Sequence, residues 1–219
     1  MKVNIINGRK QSSFSNNTKL LVDIYRSTTT MPMMLNAGAT EIIPTDSISK
    51  ARDIKKDHPE YVIAGERYGF KIPWFEMSNS PYEVSKSDLK GKTVVFTSTN
   101  GTKVLKKISN GCKVFICSYV NFTPTLEWIK DEKEIDVVLS GRPDGKADED
   151  YFFGEFVKKL LEERVDDYEK FVGLTKKGQG TKRLKLIGAG RDIPFCLDKD
   201  KVPFAVTFAN QKIVRMNVE

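Results

Sequence analysis

Val94-Val95-Phe96-Thr97-Ser98-Thr99-Asn100-Gly101-Thr102-Lys103-Val104-Leu105-Lys106-Lys107-Ile108 passes from a strand pattern through a polar turn into a helical pattern. The apolar run 94–96 predicts a buried strand, and apolar residues at 104, 105 and 108 predict one face of a helix. Hydroxyl and amide side chains fill the turn between them, around Gly101. The first N–H groups of a helix lack intrahelical partners, and the helix dipole favours an anion there. Thr97, Ser98, Thr99 and Thr102 add donors, and Gly101 lets a backbone come close. The stretch therefore reads either as a phosphate cradle without the P-loop lysine or as an ordinary helix cap.

The same arrangement recurs along the chain. Leu20-Leu21-Val22 is a second apolar strand, followed by Asp23-Ile24-Tyr25-Arg26, then Ser27-Thr28-Thr29-Thr30 and a helix through Met33, Met34 and Ala37. Pro32 falls in the first turn of that helix, where proline is tolerated. A third strand, Val137-Val138-Leu139, runs into Ser140-Gly141-Arg142-Pro143-Asp144-Gly145. Open α/β sheets bind ligands beyond the carboxyl ends of their strands. Three such ends carrying acidic or anion-binding groups favour a site over three separate caps.

Strand patterns are expected near 2–6, 18–24, 40–44, 61–64, 93–98, 112–117 and 135–140, and helices near 29–38, 46–57, 99–108, 122–131 and 149–165. That alternation predicts an α/β fold of βαβ units with a mainly parallel sheet. Near the C-terminus, 204–208 and 212–216 read as a β-hairpin, expected antiparallel at a sheet edge. The stretch 65–92 holds Gly65, Gly69, Pro73, Pro81 and Gly91 and little periodicity, and long irregular loops in compact domains are often functional. It opens with Gly65-Glu66-Arg67-Tyr68-Gly69, in which Glu66 could ligate a metal beside an arginine anion clamp, or Arg67 could simply pin the loop. Glu149-Asp150 open an amphipathic helix whose stripe is Phe152, Phe153, Phe156, Val157, Leu160 and Leu161. The helix dipole alone accounts for one of those carboxylates more readily than for both.

Composition excludes several chemistries. The single histidine, His58, sits in the polar stretch Lys56-Asp57-His58-Pro59, which removes phosphohistidine, Ser-His-Asp and His-rich metal mechanisms. No cysteine opens a Cys-x5-Arg loop, and Cys112, Cys117 and Cys196 lack metal spacing. Asp198-Lys199-Asp200-Lys201-Val202 mimics an aspartate-nucleophile phosphatase motif, but too little chain follows it to build that fold. What remains is carboxylates, arginines and hydroxyls, a hard-oxygen set suited to Mg²⁺ rather than zinc. The net charge of +7 is spread over solvated helix faces without interleaved aromatics, so no nucleic-acid partner is expected. No apolar run approaches about 18 residues, so no membrane span is expected. Without a signal-peptide pattern, and with thiols in place of a disulfide framework, the expected compartment is the cytoplasm.

Together these motifs resemble the 2-phosphosulfolactate phosphatase family of coenzyme M biosynthesis. The resemblance runs from about Leu21 to Phe204. It rests on V-D-I-Y-R-S-T-T-T at 22–30, G-E-R-Y-G at 65–69, S-N-S-P at 78–81, T-S-T-N-G-T at 97–102, Asn121, S-G-R-P-D-G at 140–145, E-D at 149–150 and D-I-P-F-C at 192–196. Tyr68, Ser98, the linker 146–148 and the segment 173–191 depart from the family pattern. The resemblance implies a family-specific α/β fold and Mg²⁺-dependent hydrolysis of a small sulfonated phosphate monoester. In that scheme Asp23, Glu66 and Asp150, with Glu149, would be metal ligands or water-positioning carboxylates. Arg26, Arg67 and Arg142 would bind phosphate and sulfonate or carboxylate oxygens. Thr99, Asn100, Gly101 and Thr102 would cradle the phosphoryl group, with Asn79, Ser80, Thr97, Ser98, Asn121 and Gly141 also binding substrate. Residues 1–219 are expected to form one phosphatase module, or two α/β lobes with the site between them. The expected partner is a small anionic substrate, and a homodimer stays open. Direct attack by water and a transient phospho-enzyme both remain open, as do another phosphorylated hydroxy acid as substrate and a non-catalytic anion-binding role.

Overall fold

The computed structural model describes residues 1–142, 145 and 147–216. Pro143 and Asp144 of the S-G-R-P-D-G motif lie outside them. In chain order the elements are β1 (Lys2–Asn7), β2 (Thr18–Val22), α1 (Ser27–Asn36), β3 (Glu41–Thr45), α2 (Ile48–Asp57), β4 (Val62–Arg67), β5 (Phe70–Lys71), α3 (Pro81–Val84) and β6 (Thr93–Thr97). They continue with α4 (Gly101–Ile108), β7 (Val114–Ile116), α5 (Phe122–Ile129), β8 (Glu134–Leu139), α6 (Asp148–Lys158), α7 (Tyr168–Lys177), α8 (Gln179–Leu186), α9 (Ile193–Cys196), β9 (Val206–Ala209) and β10 (Lys212–Arg215).

The strands form one ten-stranded sheet in the order β1-β8-β2-β7-β9-β10-β3-β6-β4-β5. Two parallel groups, β1-β8-β2-β7 and β3-β6-β4, flank the β9–β10 hairpin. The hairpin is antiparallel, as expected, but it occupies the middle of the sheet rather than an edge. Its strands pair outward as well, β9 with β7 and β10 with β3. The reason is burial: Val206 and Ile213 are fully enclosed, which an edge hairpin could not achieve.

Alternation along the strands feeds both faces of the sheet. On β2, Leu21 points into one apolar cluster, with Met31, Met34, Phe96, Val104 and Leu105. Its neighbours Leu20 and Val22 point into the other, with Phe153, Phe156 and Phe171. Burial on both faces explains why the central strands read as unbroken apolar runs. Helices α1 and α4 cover the first face; α6, α7 and α8 cover the second beside the β8–β2 half. Helix α2 covers Ile63 and Val95 on the other half. It is capped by Ser47, whose hydroxyl accepts from the Lys50 N–H at 3.1 Å. Helix α6 runs on as a π-helical turn over Lys159–Glu163 and stops at Arg164, which adopts a left-handed conformation. Among the described residues, no helix is long and apolar enough to cross a membrane.

Candidate active site

The carboxyl ends of β2, β4, β6 and β8 point to one side of the molecule and open on a cavity of about 270 Å³. One half-sheet brings Asp23, Tyr25, Arg26 and Ser27 after β2 and Arg142 after β8. The other brings Glu66, Tyr68 and Gly69 at the end of β4 and Thr99 and Asn100 after β6. Asn79 from the loop before α3, Glu149 from α6, and Gly180, Arg183, Leu184 and Ile187 from α8 and its C-terminal end complete the wall.

Each strand end is locked by its own polar side chains. The Asp23 N–H donates to Thr28 Oγ1 at 2.9 Å, and the hydroxyls of Thr29 and Thr30 donate to the Ile24 and Arg26 carbonyls. Of the Ser27–Thr30 hydroxyls, only that of Ser27 reaches the cavity lining. The turn of β6 divides its labour in the same way. Thr102 and Ser98 hold each other: the Thr102 N–H donates to Ser98 Oγ at 3.1 Å and the Ser98 N–H to Thr102 Oγ1 at 3.2 Å. These two act as the helix cap, whereas Thr99 and Asn100 line the cavity. Gly101 is forced by proximity, because a Cβ there would stand 3.1 Å from Asp23 Oδ2 and 2.9 Å from Ser27 Cβ.

Glu66 is buried and organises the β4 turn. Its carboxylate accepts from the Thr99 N–H at 2.5 Å, from Thr99 Oγ1 at 3.0 Å and from the Gly69 N–H at 2.7 Å. Burial, and then the charge of Glu66, push the Asp23 carboxyl above its usual range. Asp150 lies beneath the cavity, where it accepts from the Ile24 N–H at 2.8 Å and more weakly from Ser140 Oγ and the Gly141 N–H, both at 3.4 Å. It thereby ties β2 to β8. Burial and the Asp23 charge raise its carboxyl well above the ordinary value. Glu149 does reach the cavity; burial and then Asp150 raise it, and its Oε2 is enclosed without a hydrogen-bond partner.

The arginines separate. Arg26 is buried and ion-paired with Asp192 at 2.7 Å, while its other terminal nitrogen donates to the Gly69 carbonyl at 2.7 Å. Arg67 donates to the Glu66 carbonyl and to Thr97 Oγ1 at 2.7 and 2.8 Å, and so pins the β4–β6 strand ends together. Burial lowers the Arg67 pKa. Arg142 lies in the wall. Ser80 caps α3 and donates to Asp192, and Asn121 is enclosed beyond β7, bonded to the Ser118 N–H and the Ile116 carbonyl. Asn79 is buried in the wall with its Nδ2 on Ser27 Oγ at 3.3 Å and its Oδ1 unpaired. Asp200 of the motif-like stretch 198–202 instead caps α5, accepting from the Thr123 N–H and hydroxyl.

The sequence reading quoted Asp192 within the block at 192–196 but gave it no role, and it did not single out the α8 residues. Asp192 takes its meaning from Arg26, Ser80 and the Tyr82 N–H, all more than a hundred positions away. For α8, the spacing 180, 183, 184, 187 was the available signal. Among the described residues, no three His, Cys, Asp or Glu side chains converge as a ready metal cage. Among the described residues, the carboxylates that line the cavity are Asp23, Glu66 and Glu149.

Residues 4–211 match the 2-phosphosulpholactate phosphatase family. The probable 2-phosphosulfolactate phosphatase of Thermoplasma acidophilum is 38% identical, with 97% of this chain and 95% of the relative covered. Its counterpart in Thermoplasma volcanium is 37% identical over 97% and 98%. A similarly named protein of Caldicellulosiruptor saccharolyticus is 34% identical over 87% and 88%. With near-complete coverage and a strand-end cavity assembled from the motifs at 22–30, 65–69, 97–102 and 149–150, the chain belongs to the 2-phosphosulpholactate phosphatase family of phosphoric monoester hydrolases.

Proposed function

We propose that the chain is a Mg²⁺-dependent phosphatase that hydrolyses 2-phosphosulfolactate to sulfolactate and phosphate, a step of coenzyme M biosynthesis. One observation carries the reading: buried strand-end carboxylates, Asp23 and Glu66, share a small cavity with the guanidinium groups of Arg26, Arg142 and Arg183. Among the described residues, the carboxylates Asp23, Glu66 and Glu149 line that cavity beside the three arginines. A polyanionic ester needs further positive charge to settle there. Mg²⁺ typically keeps several waters and takes one or two protein carboxylates plus phosphate oxygens. Asp23 and Glu66 fit that demand without a three-residue cage. Bound there, the ion would neutralise phosphoryl charge and acidify water.

The chain's own groups do the positioning. Arg142 offers a planar fork to phosphoryl oxygens. Thr99 and Asn100 border the phosphoryl end, with Thr99 fixed by Glu66. The unpaired Asn79 Oδ1 is an acceptor for a water or for the hydroxyl of the product. Phosphoryl transfer asks mostly for such placement and charge stabilisation. We read residues 1–219 as one phosphatase module whose two half-sheets enclose the site between them. The three free thiols support a cytoplasmic setting.

The test is phosphate release from 2-phosphosulfolactate by the purified protein. Turnover is expected with Mg²⁺, is expected to vanish after exhaustive chelation, and should return when Mg²⁺ is restored. Full turnover after chelation would remove the metal from the scheme. Release from another phosphorylated hydroxy acid, and not from this one, would move the substrate assignment.

A further inference from the structure

The β4–β5 hairpin sets a side chain against its own backbone. Its strands pair Glu66 with Lys71 and Arg67 with Phe70, which leaves Tyr68-Gly69 as a two-residue loop. Both loop residues are left-handed, with φ of 56° at Tyr68 and 92° at Gly69. Hairpin loops of that shape favour Asn, Asp or Gly, because a bulky side chain strains a left-handed backbone. The site imposes this backbone. The Tyr68 N–H donates to Thr99 Oγ1 at 2.9 Å, the Gly69 N–H donates to Glu66 at 2.7 Å, and the Gly69 carbonyl accepts from Arg26 at 2.7 Å. Glycine or asparagine at 68 would make the same backbone bond with less strain. Nor does burial offset the strain, since Tyr68 is 81% exposed. In the free protein the ring therefore adds nothing to the hairpin that a small residue would not.

Resting on the phosphatase reading above, we propose that Tyr68 is a substrate-specificity residue whose ring closes the mouth of the cavity and packs on the bound ester. Its position carries the inference: Tyr68 lines the cavity and is open to solvent, so it stands where the wall meets the mouth. The other exposed aromatics of the same excursion do not share that place. Phe70 is not part of the cavity wall. Trp74, also left-handed with φ of 65°, is not part of it either, and its ring lies 5.3 Å from the Arg52 guanidinium. A partner protein would use all three rings; the substrate meets Tyr68 alone. Strained residues cluster where a ligand is clamped, and here the strained backbone is tied to Glu66 and Thr99 at the reacting end. Covering the ester buries the ring and sheds water from the mouth. The ring edge carries the positive part of its quadrupole, which suits an anionic ligand. Tyr68 is also a position at which the chain departs from the family pattern, so the contact is a feature of this chain.

The experiment uses Tyr68→Gly and Tyr68→Phe. Tyr68→Gly should raise the urea midpoint, since glycine accepts a left-handed backbone, and yet lower kcat/KM on 2-phosphosulfolactate at least about tenfold. Tyr68→Phe, which keeps the ring, should recover most of that loss. A tyrosine that only supported the fold would lose stability and activity together, and that result overturns the proposal. So does a Tyr68→Phe variant as poor as Tyr68→Gly. The contact itself is read by fluorine NMR on protein labelled with fluorotyrosine, in which the resonance missing from Tyr68→Phe is that of Tyr68. That resonance should shift when sulfolactate is added with Mg²⁺, and sulfolactate affinity by calorimetry should fall at least about tenfold in Tyr68→Gly. A Tyr68 resonance that ignores sulfolactate overturns the proposal. If wild type and Tyr68→Gly hydrolyse 2-phosphosulfolactate equally well, the ring contact falls and the reaction stands. If the resonance shifts but no phosphate is released, the contact stands and the proposed reaction falls.

Discussion

Thr99 and Thr102 sit three positions apart in one turn and do different things. Thr99 holds Glu66 and borders the cavity, while Thr102 closes the first turn of α4 against Ser98. The sequence offers both as hydroxyls of one polar run, and only the direction of the chain after β6 separates cradle from cap. Asp192 is the sharper case. One of its oxygens holds Arg26 at 2.7 Å; the other accepts from Ser80 Oγ at 2.5 Å and the Tyr82 N–H at 3.2 Å. A single enclosed carboxylate thus fixes a cavity arginine and the loop that carries Asn79. Removing one partner of a buried pair leaves the other charge uncompensated, at a cost of about 3–5 kcal/mol. Asp192→Ala is therefore expected to lower unfolding free energy by about that much in urea. Asp192→Asn, which keeps an acceptor for Arg26, should fall between it and wild type. An alanine variant that unfolds at the wild-type midpoint would show that the pair ties nothing down.

At the scale of elements, legibility followed the width of the apolar stripe. Strands β1–β4 and β6–β8 and helices α1, α2 and α4–α6 stand where the periodicity puts them; most bury a run or face of large apolar residues, and α2 packs the partly buried Ile48 and Ile54 around Ala51. Helix α7 was missed although it buries Phe171 and Val172, adjacent residues that mark no period; the other missed elements hide theirs. β5 has two residues and α3 and α9 four each, too short for a period to register. Helix α8 buries Gly180, Thr181 and Leu184, so a glycine and a hydroxyl stand where a hydrophobic pattern would look for aliphatics. The same glycine makes the helix testable. Gly180→Ala places a methyl group into the Glu149 carboxylate, so either α8 or Glu149 must move. Small misplacements near a reacting centre can cost about 100-fold in rate. We expect kcat/KM to fall at least about tenfold with the circular-dichroism spectrum unchanged. Gly173→Ala in α7 is the matched control, because nothing lies within 4 Å of a Cβ built there. It should leave activity intact and raise stability by roughly 0.4–1 kcal/mol. Equal kinetics for the two variants would show that the seat of α8 on Glu149 does not matter to the site.

At the scale of the molecule, the hairpin near the C-terminus decides whether there is a site at all. Asp23 and Arg142 belong to the β1-β8-β2-β7 group, Glu66 and Thr99 to the β3-β6-β4 group, and β9–β10 is the backbone link between the two in the sheet. Its position could not be read from its sequence: Ala209-Asn210-Gln211 between two apolar runs specifies a turn, not which strands will pair outside it. Those outer pairings are short. The β10–β3 contact is registered through Ile213 and Ile42 alone, and β9–β7 through two residue pairs. Side-chain burial must carry what the ladder does not, and Ile213 is 0% exposed within the cluster that contains Ile42, Val94 and Val206. Truncating a buried isoleucine to alanine costs about 2–5 kcal/mol. Ile213→Ala should therefore lower the unfolding free energy by that amount in urea while kcat/KM per folded molecule stays within about twofold, since Ile213 does not line the cavity. A chain stopped after Pro203 should behave differently. Without the bridging strands, the two half-sheets lose their common register, so phosphatase turnover and sulfolactate binding should disappear together. If that shortened chain keeps wild-type turnover, helix contacts alone hold the halves in place, and the central hairpin is not what assembles the site.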